Sequence, residues 1–403
     1  MLYHLVRPVA RYVLRYYYRH IDLTGLENIP RDAPVILAAN HPTAFIEPCL
    51  LACFQRRTLH FLARGDLYKN ALATTVLRAL HILPVYRIQD GGYDKLVRNY
   101  DTFTECHEAL AKNQAIMILA EGRCIHERRL RPLRKGTARI ALGAMEQYNT
   151  LHEVYVVPVG VNFSAADRWR STVMIRCGVP IKASEYLPAY RAQPATGIRE
   201  LTERLRADLS PLVVQVPAER DDAAADVLLD IARNDASKDP YGVTLAGSEL
   251  DRELVAIGTL PDREGRLLRY AAQLRRYGLR DRDVESGRTI TFPFGVLPAG
   301  LLLLPLAPLW ALAEGIALTG PRSIEFYSPV RFAAMAVGTL LYLPALLLLP
   351  WLGKVYLIVS LLTVNWSLRQ VERLADWRMA HRFKQLNPAT RRELGDLRKS
   401  ARL

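Results

Sequence analysis

Apolar residues run in short uninterrupted blocks through the first half of the chain and in two long blocks near its end. The short blocks fall at 35–39, 59–63, 82–86, 115–119, 155–161 and 173–177. Each has the length of a strand and lacks the apolar–polar alternation of a half-exposed one, so the blocks predict strands covered on both faces. Between them, residues 67–80, 94–112 and 135–148 repeat apolar positions at helical spacing. Strands alternating with helices predict an α/β domain over residues 21–215. Polar residues gather just beyond the strand ends, where open α/β sheets bind ligands.

The pattern changes on either side of this domain. Arg7, Arg11, Arg15 and Arg19 recur every four residues, and Leu2, Val6, Val9 and Val13 fall on another helical face. Residues 1–20 therefore predict a basic amphipathic helix, suited to a membrane interface or to docking on its own domain. Residues 216–290 are rich in Asp, Glu, Arg and Ala with helical periodicity and predict a small helical linker module.

Residues 291–368 read as membrane. Between 292 and 318 the only charge is Glu314, and a second apolar run covers 332–368. About 20 apolar residues cross a bilayer core of about 30 Å, so both runs are long enough. Pro293, Pro298, Pro305 and Pro308 interrupt the first, giving a kinked span or a re-entrant pair; Pro350, Gly353 and Lys354 interrupt the second. Both flanks are basic, including the tail at 369–403, whereas the link between the runs has only Arg322 and Arg331. The positive-inside rule then predicts an even number of crossings, most simply a transmembrane hairpin, in a multi-pass protein with its catalytic domain on the cytoplasmic side.

Charge adds a class of partner. Lys and Arg number 54 against 40 Asp and Glu, a net charge of +14. That balance suits anionic partners: a membrane surface, a phosphorylated or CoA-bearing substrate, or nucleic acid. The membrane runs and the lack of a recognisable nucleic-acid-binding module exclude the last. The five cysteines are odd in number in a long chain, which favours a reducing compartment and small buried thiols over disulfides. Cys49 and Cys53 have no second pair nearby in sequence to complete a zinc site, so no metal is expected.

Candidate chemistry begins at Asn40-His41-Pro42-Thr43-Ala44-Phe45-Ile46-Glu47. A histidine just past a strand end with a carboxylate six residues on can form a base–orienter pair: the imidazole takes a proton from an alcohol, and the carboxylate fixes the tautomer. If that alcohol is itself the nucleophile, no serine or cysteine is required. Three further segments follow. Ile82-Leu83-Pro84-Val85-Tyr86-Arg87 ends a strand in arginine. Ala120-Glu121-Gly122-Arg123-Cys124 follows another strand, with Leu133-Arg134-Lys135-Gly136 opening a helix. Val157-Pro158-Val159-Gly160-Val161 is a strand that carries a proline. Guanidinium and ammonium groups at strand ends suit a phosphate.

These four blocks, in this order, resemble those of the glycerolipid acyltransferases, the lysophosphatidate and glycerol-3-phosphate acyltransferase superfamily. The resemblance covers about residues 22–185, from Gly25-Leu26-Glu27-Asn28-Ile29-Pro30 to Cys177-Gly178-Val179-Pro180-Ile181. It implies an acyltransferase domain with a mixed sheet flanked by helices. By position it makes His41 the general base and Glu47 its carboxylate partner. Arg87, Glu121 and Gly122 then serve acceptor binding, with Arg123 and Lys135 as further phosphate ligands, and Pro158 lies on the acyl-donor side. Five residues separate histidine and acid here where four is commonest in the superfamily. The acid is Glu rather than Asp, and the third block reads Ala-Glu-Gly-Arg-Cys.

The resemblance further implies acyl transfer from a thioester of CoA or acyl carrier protein, as co-substrate, to a hydroxyl of glycerol-3-phosphate or 1-acylglycerol-3-phosphate. No bound cofactor or metal is implied, and the chain would work against a lipid bilayer in phospholipid biosynthesis. Another lysophospholipid acceptor, or a non-catalytic lipid-binding protein on the same fold, is the alternative.

Overall fold

The computed structural model describes residues 1–86, 98–216, 222–236, 261–285 and 291–402. The chain forms two compact units, Met1–Val213 with Gly320–Ala336, and Val214–Thr319 with Val337–Leu403.

The first unit is built on one eight-stranded sheet. Its strands are β1 (His20–Thr24), β2 (Val35–Ala39), β3 (Leu59–Arg64), β4 (Ile82–Val85), β5 (Ala115–Leu119), β6 (Tyr155–Phe163), β7 (Thr172–Cys177) and β8 (Ile181–Lys182). They lie in the order β1-β7-β6-β2-β5-β3-β4, with β8 also paired to β6. Only the β6–β7 and β6–β8 pairs are antiparallel, so the sheet is mixed, with a parallel centre. Every residue of β2 is buried, as its unbroken apolar sequence requires.

Its helices are α1 (Leu2–Tyr17), α2 (Ile46–Phe54), α3 (Ala71–Ala79), α4 (Arg98–Ala111), α5 (Gly136–Gln147), α6 (Leu187–Ala192) and α7 (Pro194–Leu209). Ile36, Ala38, Ile116 and Ile118 of the sheet pack with Ile140, Ala141 and Ala144 of α5 and with Leu201 and Leu205 of α7. The strands β2, β3, β4 and β5 run in the same direction, so their carboxyl ends, at residues 39, 64, 85 and 119, open on one edge.

Helix α1 docks on this unit through Tyr3, Val13, Leu14, Tyr16 and Tyr17, while Leu5 and Arg15 stay exposed. Two arginines of its stripe meet the carboxyl end of α2: Arg7 donates to the Gln55 carbonyl and Arg11 lies over the Phe54 ring. Cations are favoured at that end, where helix carbonyls lack partners.

Proline 158 is a residue that central strands normally exclude, because it cannot donate to the ladder. It is tolerated where β7 gives way to β8. The β6–β7 ladder stops at the Val159–Cys177 pair and the β6–β8 ladder starts at Val156–Ile181. Between them the Pro158 carbonyl accepts from Gly178 N–H at 2.8 Å.

The second unit is helical: α8 (Asp222–Ala236), α9 (Pro261–Tyr277), α10 (Asp281–Glu285), α11 (Val296–Leu303), α12 (Ala307–Thr319), the later part of α13 (Tyr327–Leu348), α14 (Trp351–Gln385) and α15 (Pro388–Arg402). The C-terminal helix α15, part of the basic tail in sequence, packs against α9. Arg398 bridges Asp281 and Asp235 with N–O distances of 2.7–3.0 Å, and Tyr270 and Asn234 also donate to Asp281. Two stretches are long and apolar enough to cross a membrane, Val296–Thr319 and Trp351–Gln385, among the described residues.

Candidate active site

Asn40 and His41 follow directly from β2, at the carboxyl edge of the sheet. The Asn40 amide stands in for one more rung of backbone. Its NH2 donates to the Val161 carbonyl at 2.9 Å and its oxygen accepts from Val161 N–H at 2.7 Å. This ties the end of β2 to β6 and fixes where His41 leaves the sheet. Replacing Asn40 with alanine leaves both Val161 groups buried without partners, at about 1–3 kcal/mol each. A lowered urea midpoint with an unchanged slope is expected, and a midpoint equal to the parent's would refute the role.

His41 is 6% exposed. Its backbone N–H donates to Glu121 Oε2 at 2.8 Å, and its carbonyl accepts from Ile125 N–H at 3.3 Å and Arg131 Nη2 at 3.4 Å. The ring nitrogen Nδ1 is buried and makes no hydrogen bond, but it lies 3.7 Å from Glu47 Oε1. That carboxylate is fully buried in the first turn of α2, where the amino end of a helix favours an anion. Thr43 pins it from both sides: its N–H donates to Oε1 at 2.6 Å and its hydroxyl to Oε2 at 2.9 Å. The loop between histidine and acid is thereby closed on itself, and the glutamate faces the imidazole despite the lengthened spacing. A shift of under about 1 Å would make the contact a hydrogen bond of ordinary length.

The third block is placed differently from the resemblance-based expectation. Glu121, expected at the acceptor, is 4% exposed and its oxygens are engaged internally. Besides His41 N–H they accept from Arg131 N–H and Arg131 Nη2, each at 2.8 Å. Held this way, the Glu121 carboxylate ties the His41 backbone to Arg131. Gly122 sits in the left-handed region at φ +72, with the Arg134 side chain over it. Arg123 is exposed and its carbonyl accepts from Arg131; Lys135 is exposed at the start of α5. Arg87 lies outside the described residues. Pro158 is buried in β6 at the strand junction described above.

Sequence reading missed Asn40, Thr43 and Arg131 as contributors. Arg131 was one of seven basic residues between 123 and 139, and nothing local distinguishes it. No cluster of metal-ligating residues occurs among the described residues. The cysteines form no disulfide, and burial pushes the Cys53, Cys106 and Cys177 thiols up to about 12, which keeps them protonated.

The Acyltransferase family model matches residues 20–162, which carry β1 through β5, β6 up to Asn162, and the whole His41–Glu47 loop. This stretch of the α/β unit is therefore similar to acyltransferase domains. Among curated proteins the chain is similar to Glycerol-3-phosphate O-acyltransferase 1 of Saccharomyces cerevisiae. The two are 32% identical over 110 residues, covering 27% of this chain and 14% of the relative. Glycerol-3-phosphate O-acyltransferase 2 of the same yeast is 26% identical over 126 residues, covering 31% and 17%. An uncharacterised acyltransferase of Schizosaccharomyces pombe is 21% identical over 369 residues, covering 68% of this chain and 54% of its own. The chain thus spans from about a seventh to about half of the length of these relatives.

Proposed function

We propose that this α/β unit is an acyltransferase domain that moves a fatty acyl group from a thioester of CoA or acyl carrier protein to a hydroxyl of glycerol-3-phosphate or 1-acylglycerol-3-phosphate, at a membrane surface, in phospholipid biosynthesis. The observation that carries the reading is the buried His41 Nδ1, unbonded and 3.7 Å from a carboxylate that Thr43 holds in place. With Nδ1–H directed at Glu47, the other ring nitrogen keeps its lone pair and accepts the proton of the acceptor hydroxyl. The hydroxyl oxygen then bonds to the thioester carbonyl carbon, the carbon–sulfur bond breaks, and the proton leaves with the thiol. Glu47 stabilises the imidazolium between these steps. The exposed Arg123, Arg134 and Lys135 beside the third block offer cations to a phosphate, together with Arg87 of the second block.

Purified protein incubated with radiolabelled acyl-CoA and each acceptor in turn tests the reading. Transfer to glycerol-3-phosphate or its 1-acyl ester is expected, and transfer to neither under conditions where the protein is folded would sink it. Glu47→Gln is expected to lower kcat by about two orders of magnitude, within the range of general-base assistance, with KM nearly unchanged. A protein that only binds lipid would show no turnover to lose and would bind equally well with either side chain.

A further inference from the structure

The α/β unit is built from two pieces of chain. Gly320–Ala336, the link between the two apolar runs, belongs to the same compact body as Met1–Val213. Contacts away from the histidine loop fasten this second piece. The Tyr17 hydroxyl bonds both the Ser328 hydroxyl at 2.8 Å and the Ser328 carbonyl at 3.0 Å, and both residues are fully buried. Phe332 meets the Tyr17 ring edge-on, and Arg331 donates to the Asp167 carbonyl at 3.1 Å. Tyr17 ends α1 and Asp167 lies between β6 and β7, so the segment is held at two separate places on the unit.

From this position Glu325 reaches the chain on both sides of His41. It stands in a 3-10 turn, Ile324–Phe326. Its carbonyl accepts from Ala44 N–H at 3.2 Å, and its carboxylate accepts from His126 N–H at 3.3 Å. Ala44 is the middle one of the five residues that separate His41 from Glu47. His126 follows Ile125, whose N–H donates to the His41 carbonyl at 3.3 Å. The three bonds close a ring. It runs from His41 through Ile125 and His126 to Glu325, and returns through Ala44 to His41. Glu121 fixes where the loop starts, and Thr43 closes it on Glu47. Glu325 fixes its middle.

We propose that Glu325 is a positioning residue for His41, acting as a hydrogen-bond acceptor that holds the His41–Glu47 loop against the third block. The inference rests on His41 being the general base. The His41 ring has no hydrogen bond at Nδ1 and lies 3.7 Å from Glu47, so the backbone of the loop sets where the imidazole stands. A displacement of about 1 Å at a reacting group can cost about 10²-fold in rate. The bonds within the loop leave it free to hinge as a whole, and an acceptor from a distant, separately fastened segment removes that freedom. The role needs an oxygen that accepts and no net charge, so glutamine can fill it.

The test uses the full chain in detergent micelles and three variants. Glu325→Ala removes the acceptor for His126 N–H, Glu325→Gln keeps one, and Tyr17→Phe removes the hydroxyl that fastens Ser328. Amide hydrogen exchange is followed in peptides covering His41–Glu47, Ile125–His126 and β5. Glu325→Ala and Tyr17→Phe are expected to speed exchange in the first two and to leave β5 unchanged, with Glu325→Gln close to the parent. In acyl transfer, Glu325→Ala is expected to lower kcat about tenfold with KM within about twofold, and Glu325→Gln to restore most of the loss. Loop exchange or kcat at the parent's level in Glu325→Ala would overturn the proposal. Acceleration that also reaches β5 would overturn it, because the residue would then support the fold as a whole. Equal damage from glutamine and alanine would overturn it as well, since the charge and not the acceptor would matter. A parent that transfers to neither acceptor sinks the functional reading instead, and loop exchange then decides alone whether Glu325 holds the loop.

Discussion

Replacing His41 with alanine is expected to remove acyl transfer while leaving the fold in place. A positioned general base contributes about 10²–10⁴ in rate, so turnover with any glycerol-phosphate acceptor should fall by at least two orders of magnitude. The structure explains why stability should not follow. The hydrogen bonds of His41 are made by its backbone, a short one to Glu121 and longer ones from Ile125 and Arg131. Its ring makes no hydrogen bond at Nδ1, and Glu47 keeps both of its bonds to Thr43 when the ring is gone. Radiolabelled acyl transfer and thermal unfolding, measured on the same preparation, check both halves. Near-parent activity would remove His41 from the mechanism, and a large fall in melting temperature would mean that the ring also supports the fold.

The parts of this arrangement that were legible in the sequence are those set by local pattern. β2, β5 and the core of β6 are apolar runs that cannot be exposed on either face, and their ends fall where the runs end. His41 and Glu47 stand out because a strand end and six residues of loop are enough to bring them together. Helix α2 was not legible. Its sequence, Ile-Glu-Pro-Cys-Leu-Leu-Ala-Cys-Phe, is apolar on nearly every side and carries no amphipathic stripe, since most of it is buried. Strand β1, His-Ile-Asp-Leu-Thr, was missed for the opposite reason: it is half-exposed at the sheet edge and too polar to form a run. The role of Asn40 depends on a partner 121 residues away, so no local window contains it; Arg131 has Glu121 only 10 residues off, but nothing in the basic run around it singles it out. The link at Gly320–Ala336 is the clearest case. Charge counting along the chain assigns it a side, but its bonds to Ala44, His126 and Tyr17 exist only in the fold.

Glu121 carries the largest expected effect on stability. Its side chain is 2% exposed and that of Arg131 15%, so the pair is held in a poorly solvated environment. Removing one partner of such a pair leaves a buried charge uncompensated, at a cost of about 3–5 kcal/mol. Glu121→Ala also orphans the His41 and Arg131 backbone N–H groups. A lowered denaturant midpoint is therefore expected, against a small change for Lys135→Ala, whose side chain is exposed. If Glu121 instead served mainly to hold an acceptor phosphate, the same substitution would raise KM and spare stability. The double variant Glu121→Ala with Arg131→Met separates pair from substrate effects. Removing the stranded guanidinium should recover part of the loss, so the two changes should cost less together than the sum of each alone. Activity should not recover with stability, because the His41 N–H still lacks its acceptor and the loop carrying the base is no longer fixed to β5.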